Sequence, residues 1–131
     1  MYANTAHKYQ QIQTSTSTPG ELLLALYDGL FRFLNGAKLC FANNQRPRAR
    51  EFLSKSYAII SEFYIALDHP QAPELCAQLE SIYSYCMGLI VQCNLKNDPA
   101  LIDDILRTLT PLKEAWTIAV PEALRNPATP R

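Results

Sequence analysis

Three short polar breaks, "NNQRP", "DHPQAPE" and "LKNDP", each hold proline and divide residues 19–119 into long stretches with a shared apolar repeat. Proline removes a backbone donor and biases the residue before it away from helical geometry, so each break ends one element and opens the next. Between the breaks the apolar residues recur at helical spacing, and no segment alternates with period two for long. The pattern predicts helices over about residues 19–43, 47–68, 73–94 and 99–119. Thr18 as N-cap, Pro19 at the first helical position and Glu21 three residues after the cap form a capping box. Asp98 and Pro99 repeat the cap-then-proline order before the last stretch. The fold class expected is all-α. Four helices with short connections are most simply an antiparallel four-helix bundle. Residues 3–13 are read as a short N-terminal helix ahead of the polar hinge "TSTST". The division expected is a single domain over 1–131, with a mobile cap at 1–17, the bundle at 19–119 and a frayed tail at 120–131.

The first helix is wider in its apolar face than a bundle requires. With Leu22 at zero and about 100° per residue, Leu26, Leu30, Phe33 and Ala37 fall within about 80°. Leu23, Leu34 and Phe41 carry the arc to about 120°, and Tyr27, Phe31 and Leu24 to about 140°, 180° and 200°. A core-facing stripe needs about 100°, so roughly half of this arc is surplus. On the third helix, Tyr83, Met87 and Val91 lie beyond the stripe formed by Leu75, Leu79, Ile82, Cys86, Leu89, Ile90 and Cys93, and on the second Ile65 stands off the stripe. A large uncovered apolar patch is unusual on a soluble monomer. The expected partner-binding residues are therefore Leu24, Tyr27, Phe31 and Leu34 on the first helix, with Tyr83, Met87 and Val91 on the third. Three covers are open from the pattern alone: a partner helix, a second copy in a homodimer, or the chain's own N-terminal segment. In the last case Tyr2 and Tyr9 would act as a lid.

Composition removes most chemistry. Twelve basic and twelve acidic residues give zero formal charge, against a binder driven by phosphate attraction, so no nucleic acid is expected. Arg46, Arg48, Arg50 and Lys55 form the one basic cluster, read first as a solvated face and otherwise as a surface for an anionic partner. No apolar run is long enough to span a bilayer, so no membrane insertion is expected. The polar start "MYANTAHKYQQ" has no secretory h-region, which points to the cytoplasm. Cys40, Cys76, Cys86 and Cys93 lie in apolar helical patterns without C-x-x-C spacing and read as buried thiols. His7 and His69 do not follow a glutamate by three residues, and no glycine-rich phosphate loop occurs. Asp103 and Asp104 are adjacent and suit a helix start. No catalytic residue, cofactor or metal is expected, and the chain is not expected to be an enzyme.

Several segments resemble the flagellar export chaperone FliS family. They are "MYAN", "YQQ" at Tyr9 to Gln11, "STPGELLLALYDGLFRFL", "AIISEFYIALD" from Ala58 to Asp68, "LESIYSYCMGLIVQCNLKNDPALIDDIL" and "PLKEAW". Together they span most of residues 1–119. The resemblance implies an antiparallel four-helix bundle with a short N-terminal helix. It also implies a cytoplasmic chaperone that holds the C-terminal segment of flagellin, prevents premature polymerisation and helps deliver the subunit to the export gate of the flagellar type III secretion apparatus. The alternative is a self-assembling helical structural or adaptor protein that uses the same apolar surface as a subunit interface. The sequence departs from the family pattern at Cys86 and Cys93 and in the unusually basic "FANNQRPRAR".

Overall fold

The computed structural model describes residues 18–125; the short helix expected at 3–13 and the lid residues Tyr2 and Tyr9 lie outside them. The described residues form four α-helices and no strand: α1 Pro19–Ala42, α2 Arg46–Ile65, α3 Pro73–Lys96 and α4 Ala100–Arg125.

The start of α1 is fixed by its capping box. The Thr18 side chain accepts the Glu21 N–H at 3.1 Å, and the Glu21 carboxylate accepts the Thr18 N–H at 2.9 Å. The same bonds lower the pKa of Glu21 below the usual carboxylate range. Two orphan donors are satisfied reciprocally. Thr18→Ala is expected to lower stability by about 1 kcal/mol, read as an earlier urea midpoint with an unchanged slope.

Two asparagines make the tight exits. Asn44 and Asn97 have φ of 58° and 51°, in the left-handed region that Asn tolerates. Asn97 caps α3, and the Asp98 carboxylate then accepts the Ala100 N–H at 3.1 Å to open α4. The α2 helix ends at Ile65, three residues before Asp68, because the segment into Pro70 turns early. At the other end α4 runs to Arg125, through Pro111 and Pro121, rather than ending near Ala119. Its last turns are held by a distant contact. Val120 is buried against Gly20, where a Cβ would lie only 2.8 Å from the Val120 Cγ1. Residues 120–125 thus belong to α4 rather than to a tail.

The packing closes a ring. α1 packs on α2, α2 on α3, α3 on α4, and α4 returns to α1, with no close backbone approach between α1 and α3 or between α2 and α4. The middle is filled from all four helices, by Leu30 and Leu34, Leu53 and Ile60, Cys86 and Ile90, and Ile102, Ile105 and Leu109. Each large aliphatic side chain sealed this way contributes about 1.5–3 kcal/mol relative to exposure.

Candidate functional site

At the centre of the ring, α1 and α3 meet only through side chains. The Tyr27 and Tyr83 hydroxyls lie 2.7 Å apart, each the other's partner in a region closed to water. Phe63 of α2 stacks on Tyr27 with ring centroids 4.6 Å apart and sits 5.7 Å from Tyr83. Burial raises both phenol pKa values, so both hydroxyls stay protonated throughout the physiological range.

This cluster corrects part of the sequence reading. Tyr27 and Leu34 are 0% exposed and Tyr83 is 2% exposed, so none of the three offers a docking surface. The surplus arc of α1 exists, but the buried face reaches further round than the expected core stripe. On the scale with Leu22 at zero, the buried apolar residues Cys40, Ala37, Leu30, Leu34 and Tyr27 stand at about 0°, 60°, 80°, 120° and 140°. Half-buried apolar residues lie along both edges of this face.

One flank holds Leu24 and Phe31, both half-buried. Lys113 of α4 sits with its Nζ 4.8 Å from the Phe31 ring centroid and 3.2 Å from the Asp28 carboxylate, which places this flank at the α1–α4 seam. The Asp28–Lys113 pair is solvent-exposed and adds little stability. The other flank holds Leu22, Leu26 and Phe33 and faces α2, where Phe33 and Phe52 lie 6.0 Å apart. On α3, Met87 is half-buried against the core and Val91 is 45% exposed. Because α1 and α3 are diagonal, Leu24 and Phe31 do not share a groove with Met87 and Val91. The structure brings the expected residues together in two separate rows.

Sequence reasoning missed other exposed apolar side chains, chiefly Leu39, Leu95 and Ile118. Leu95 lies four residues beyond Val91, so it extends the outer row of α3 by one turn. That spacing was the available signal.

Burial holds Cys86 and Cys93 in the neutral form. Burial pushes Cys86 up to about 12, and burial together with the Asp98 charge pushes Cys93 up to about 11. Cys93 also donates to the Asp98 carbonyl at 3.2 Å. The folded state favours the neutral thiol, so its contribution is complete below the unfolded thiol pKa and is lost as pH rises towards these folded values. Urea midpoints are therefore expected to fall above about pH 9. Cys86 and Cys93 are expected to resist maleimide at pH 7.5 until denaturant is added, as read by mass spectrometry of the intact chain. Among the described residues no group of three His, Cys, Asp or Glu side chains is placed to hold a metal ion. No helix among them is long and apolar enough to cross a membrane.

The family model described as flagellar protein FliS matches residues 2–123. The flagellar secretion chaperone FliS of Bacillus subtilis is 35% identical, over 86% of this chain and 83% of its own length. FliSB of Pseudomonas aeruginosa is 31% identical, over 88% of this chain and 96% of its own. FliS of Salmonella typhimurium is 30% identical, over 94% of this chain and 96% of its own. A match that runs from before the Thr18 cap almost to the end of α4 takes in every helix described above, and this chain belongs to the flagellar protein FliS family.

Proposed function

We propose that the protein is a cytoplasmic, non-enzymatic chaperone that binds the C-terminal segment of flagellin, keeps it from polymerising early and assists its export through the flagellar type III apparatus. The relatives are named as flagellar secretion chaperones, and a secretion chaperone meets its client before export. The helices are read as an antiparallel bundle, supported by short loops and the closed ring of packing. The observation that carries the reading is apolar surface at the edges of the core: half-buried Leu24 and Phe31 at one seam, and half-buried Met87 with exposed Val91 and Leu95 on α3.

A client with apolar residues at i, i+3, i+4 and i+7 can lay them along such rows as a helix. Each square ångström of apolar area covered contributes about 25 cal/mol. A segment that is disordered when free must be ordered on binding, which offsets much of that gain. Since the rows lie on separate sides, one straight client helix covers only one of them; engaging both requires two client stretches joined by a turn. On this reading the N-terminal segment, through Tyr2 and Tyr9, has the role of a lid over one row until the client arrives. The loaded chaperone then meets the export gate protein.

Calorimetric titration of a C-terminal flagellin segment into the full chain tests this reading. A saturable one-to-one complex with a negative heat-capacity change is expected. Deleting residues 1–13 is expected to change the affinity. No heat of binding, with the segment and the chaperone both intact, would remove flagellin as the client. An identical curve after the deletion would reject the lid. Sedimentation of the protein without client separates the self-association alternative, which requires a stable dimer unable to bind flagellin.

A further inference from the structure

The first ten residues of α2, 46–55, carry Arg46, Arg48, Arg50 and Lys55 with Glu51 as their one carboxylate. Positive charge at a helix N-terminus opposes the helix dipole. The first turn of α2 has no acidic residue, and its N-cap makes no side-chain bond. The ion pairs of the described residues engage Lys38, His69, Arg107 and Lys113, and none of the four cations of this cluster. Arg50 reaches the Asn97 side chain at 3.2 Å, a neutral acceptor. The fold thus gathers charge where it is unfavourable and, among the described residues, pairs it with no carboxylate.

Two of these cations are arranged over aromatic rings. Lys55 Nζ lies 5.4 Å from the Phe33 centroid and 5.8 Å from the Phe52 centroid, and the Arg48 guanidinium lies 5.7 Å from the Phe52 centroid. Arg48, Phe52 and Lys55 share one helix face by their spacing, and Phe33 of α1 completes the floor. Gly36 lets Phe52 lie close against α1, since a Cβ there would sit 3.3 Å from the ring. The result is a half-buried aromatic shelf with cationic heads held above it. It lies at the α1–α2 seam, away from Leu24 and Phe31 at the α1–α4 seam.

We propose that this shelf docks an acidic segment of a second protein, one carrying several Asp or Glu residues with an aromatic or apolar residue between them. Guanidinium and ammonium groups bind carboxylates through charge-assisted hydrogen bonds, and the uncovered part of the half-buried rings takes an apolar side chain. Residues 1–17 and 126–131 contain no Asp or Glu and so do not supply the segment. A nucleic acid or an anionic bilayer spreads its charge over a wide surface, and a chain of zero net charge whose basic residues gather in one short patch offers no broad positive face to meet it.

The probe is a fluorescein-labelled peptide of repeating Glu-Glu-Phe units, titrated with the full chain by anisotropy. Its Lys-Lys-Phe counterpart, a single-stranded DNA and phosphatidylserine vesicles are compared at the same salt. Saturable binding of the acidic peptide that weakens as salt rises is expected, with a further loss of at least about tenfold in the Arg48→Glu/Lys55→Glu variant. The milder Arg48→Gln/Lys55→Gln variant keeps the helical face apolar stems and is expected to lose binding in the same direction. Equal affinity in both variants, or tighter binding of the DNA or the vesicles, would overturn the proposal. Flagellin-segment affinity is expected to be unchanged in the Gln variant; a joint loss would make the shelf part of the client site and would also overturn it.

Discussion

Tyr27→Ala is expected to destabilise the protein by about 3–5 kcal/mol, the range for removing a buried aromatic side chain. That is a large share of the roughly 5–15 kcal/mol that holds a domain of this kind folded. Three losses combine. The ring leaves a cavity beside Leu30 and Phe63, the stack with Phe63 disappears, and the Tyr83 hydroxyl is stranded in a sealed site. The contribution of the hydroxyl pair is separable. Tyr27→Phe and Tyr83→Phe each leave one buried hydroxyl unpartnered and are expected to cost about 1–3 kcal/mol. The double variant removes both hydroxyls together and is expected to cost less than the sum. Urea unfolding followed by circular dichroism reads all four variants. An alanine variant as stable as the parent would mean that Tyr27 is not part of the core. Apparent loss of client binding in Tyr27→Ala is to be read as unfolding unless its melting curve is intact.

The second large effect concerns binding. Leu24→Asp and Phe31→Asp are each expected to weaken the flagellin segment by about 30-fold, the effect of losing an anchor worth about 2 kcal/mol. Leu24 is the cleaner probe. Phe31 also packs against the core and lies beneath Lys113, so its replacement changes stability as well. Leu24 is half-buried but is not among the side chains packed against the core, so its replacement disturbs stability less. Val91→Asp on the outer row of α3 provides the matching test of the second row. Titration beside a melting curve for each variant measures both quantities. Unchanged affinity in a folded Leu24→Asp protein would remove the α1–α4 seam from the site.

The helix starts were readable because their chemistry is local. Thr18, Pro19 and Glu21 announce α1, Pro47 and Pro73 open α2 and α3, and Asp98 caps α4. The ends were less readable where they depend on distant contacts. Nothing near Val120 in the chain reveals that Gly20, a hundred residues away, leaves room for it. The same limit explains the misplaced site residues. An apolar arc of about 200° shows that α1 exceeds what a core needs, yet its breadth hides which third points inward. That direction is set by Tyr83 and Phe63, which receive Tyr27 from across the ring. On α3 the same limit applies: Val91 is exposed, but Tyr83, grouped with it beyond the stripe, is buried and Met87 packs against the core. The two-sided placement of the rows was not readable, since periodicity within one helix carries no information about which helices are neighbours.

The central claim is that apolar side chains outside the filled core are what the client touches. Intermolecular methyl NOEs measure this most directly, with the protein labelled at Leu, Val and Met methyls and the flagellin segment unlabelled except for protons. The account predicts NOEs from the client to Leu24, Met87 and Val91, and none to the core methyls of Leu30, Leu53 and Leu109. A complex whose NOEs fall only on other surfaces, or that reaches the core methyls through an opened ring of helices, would contradict it.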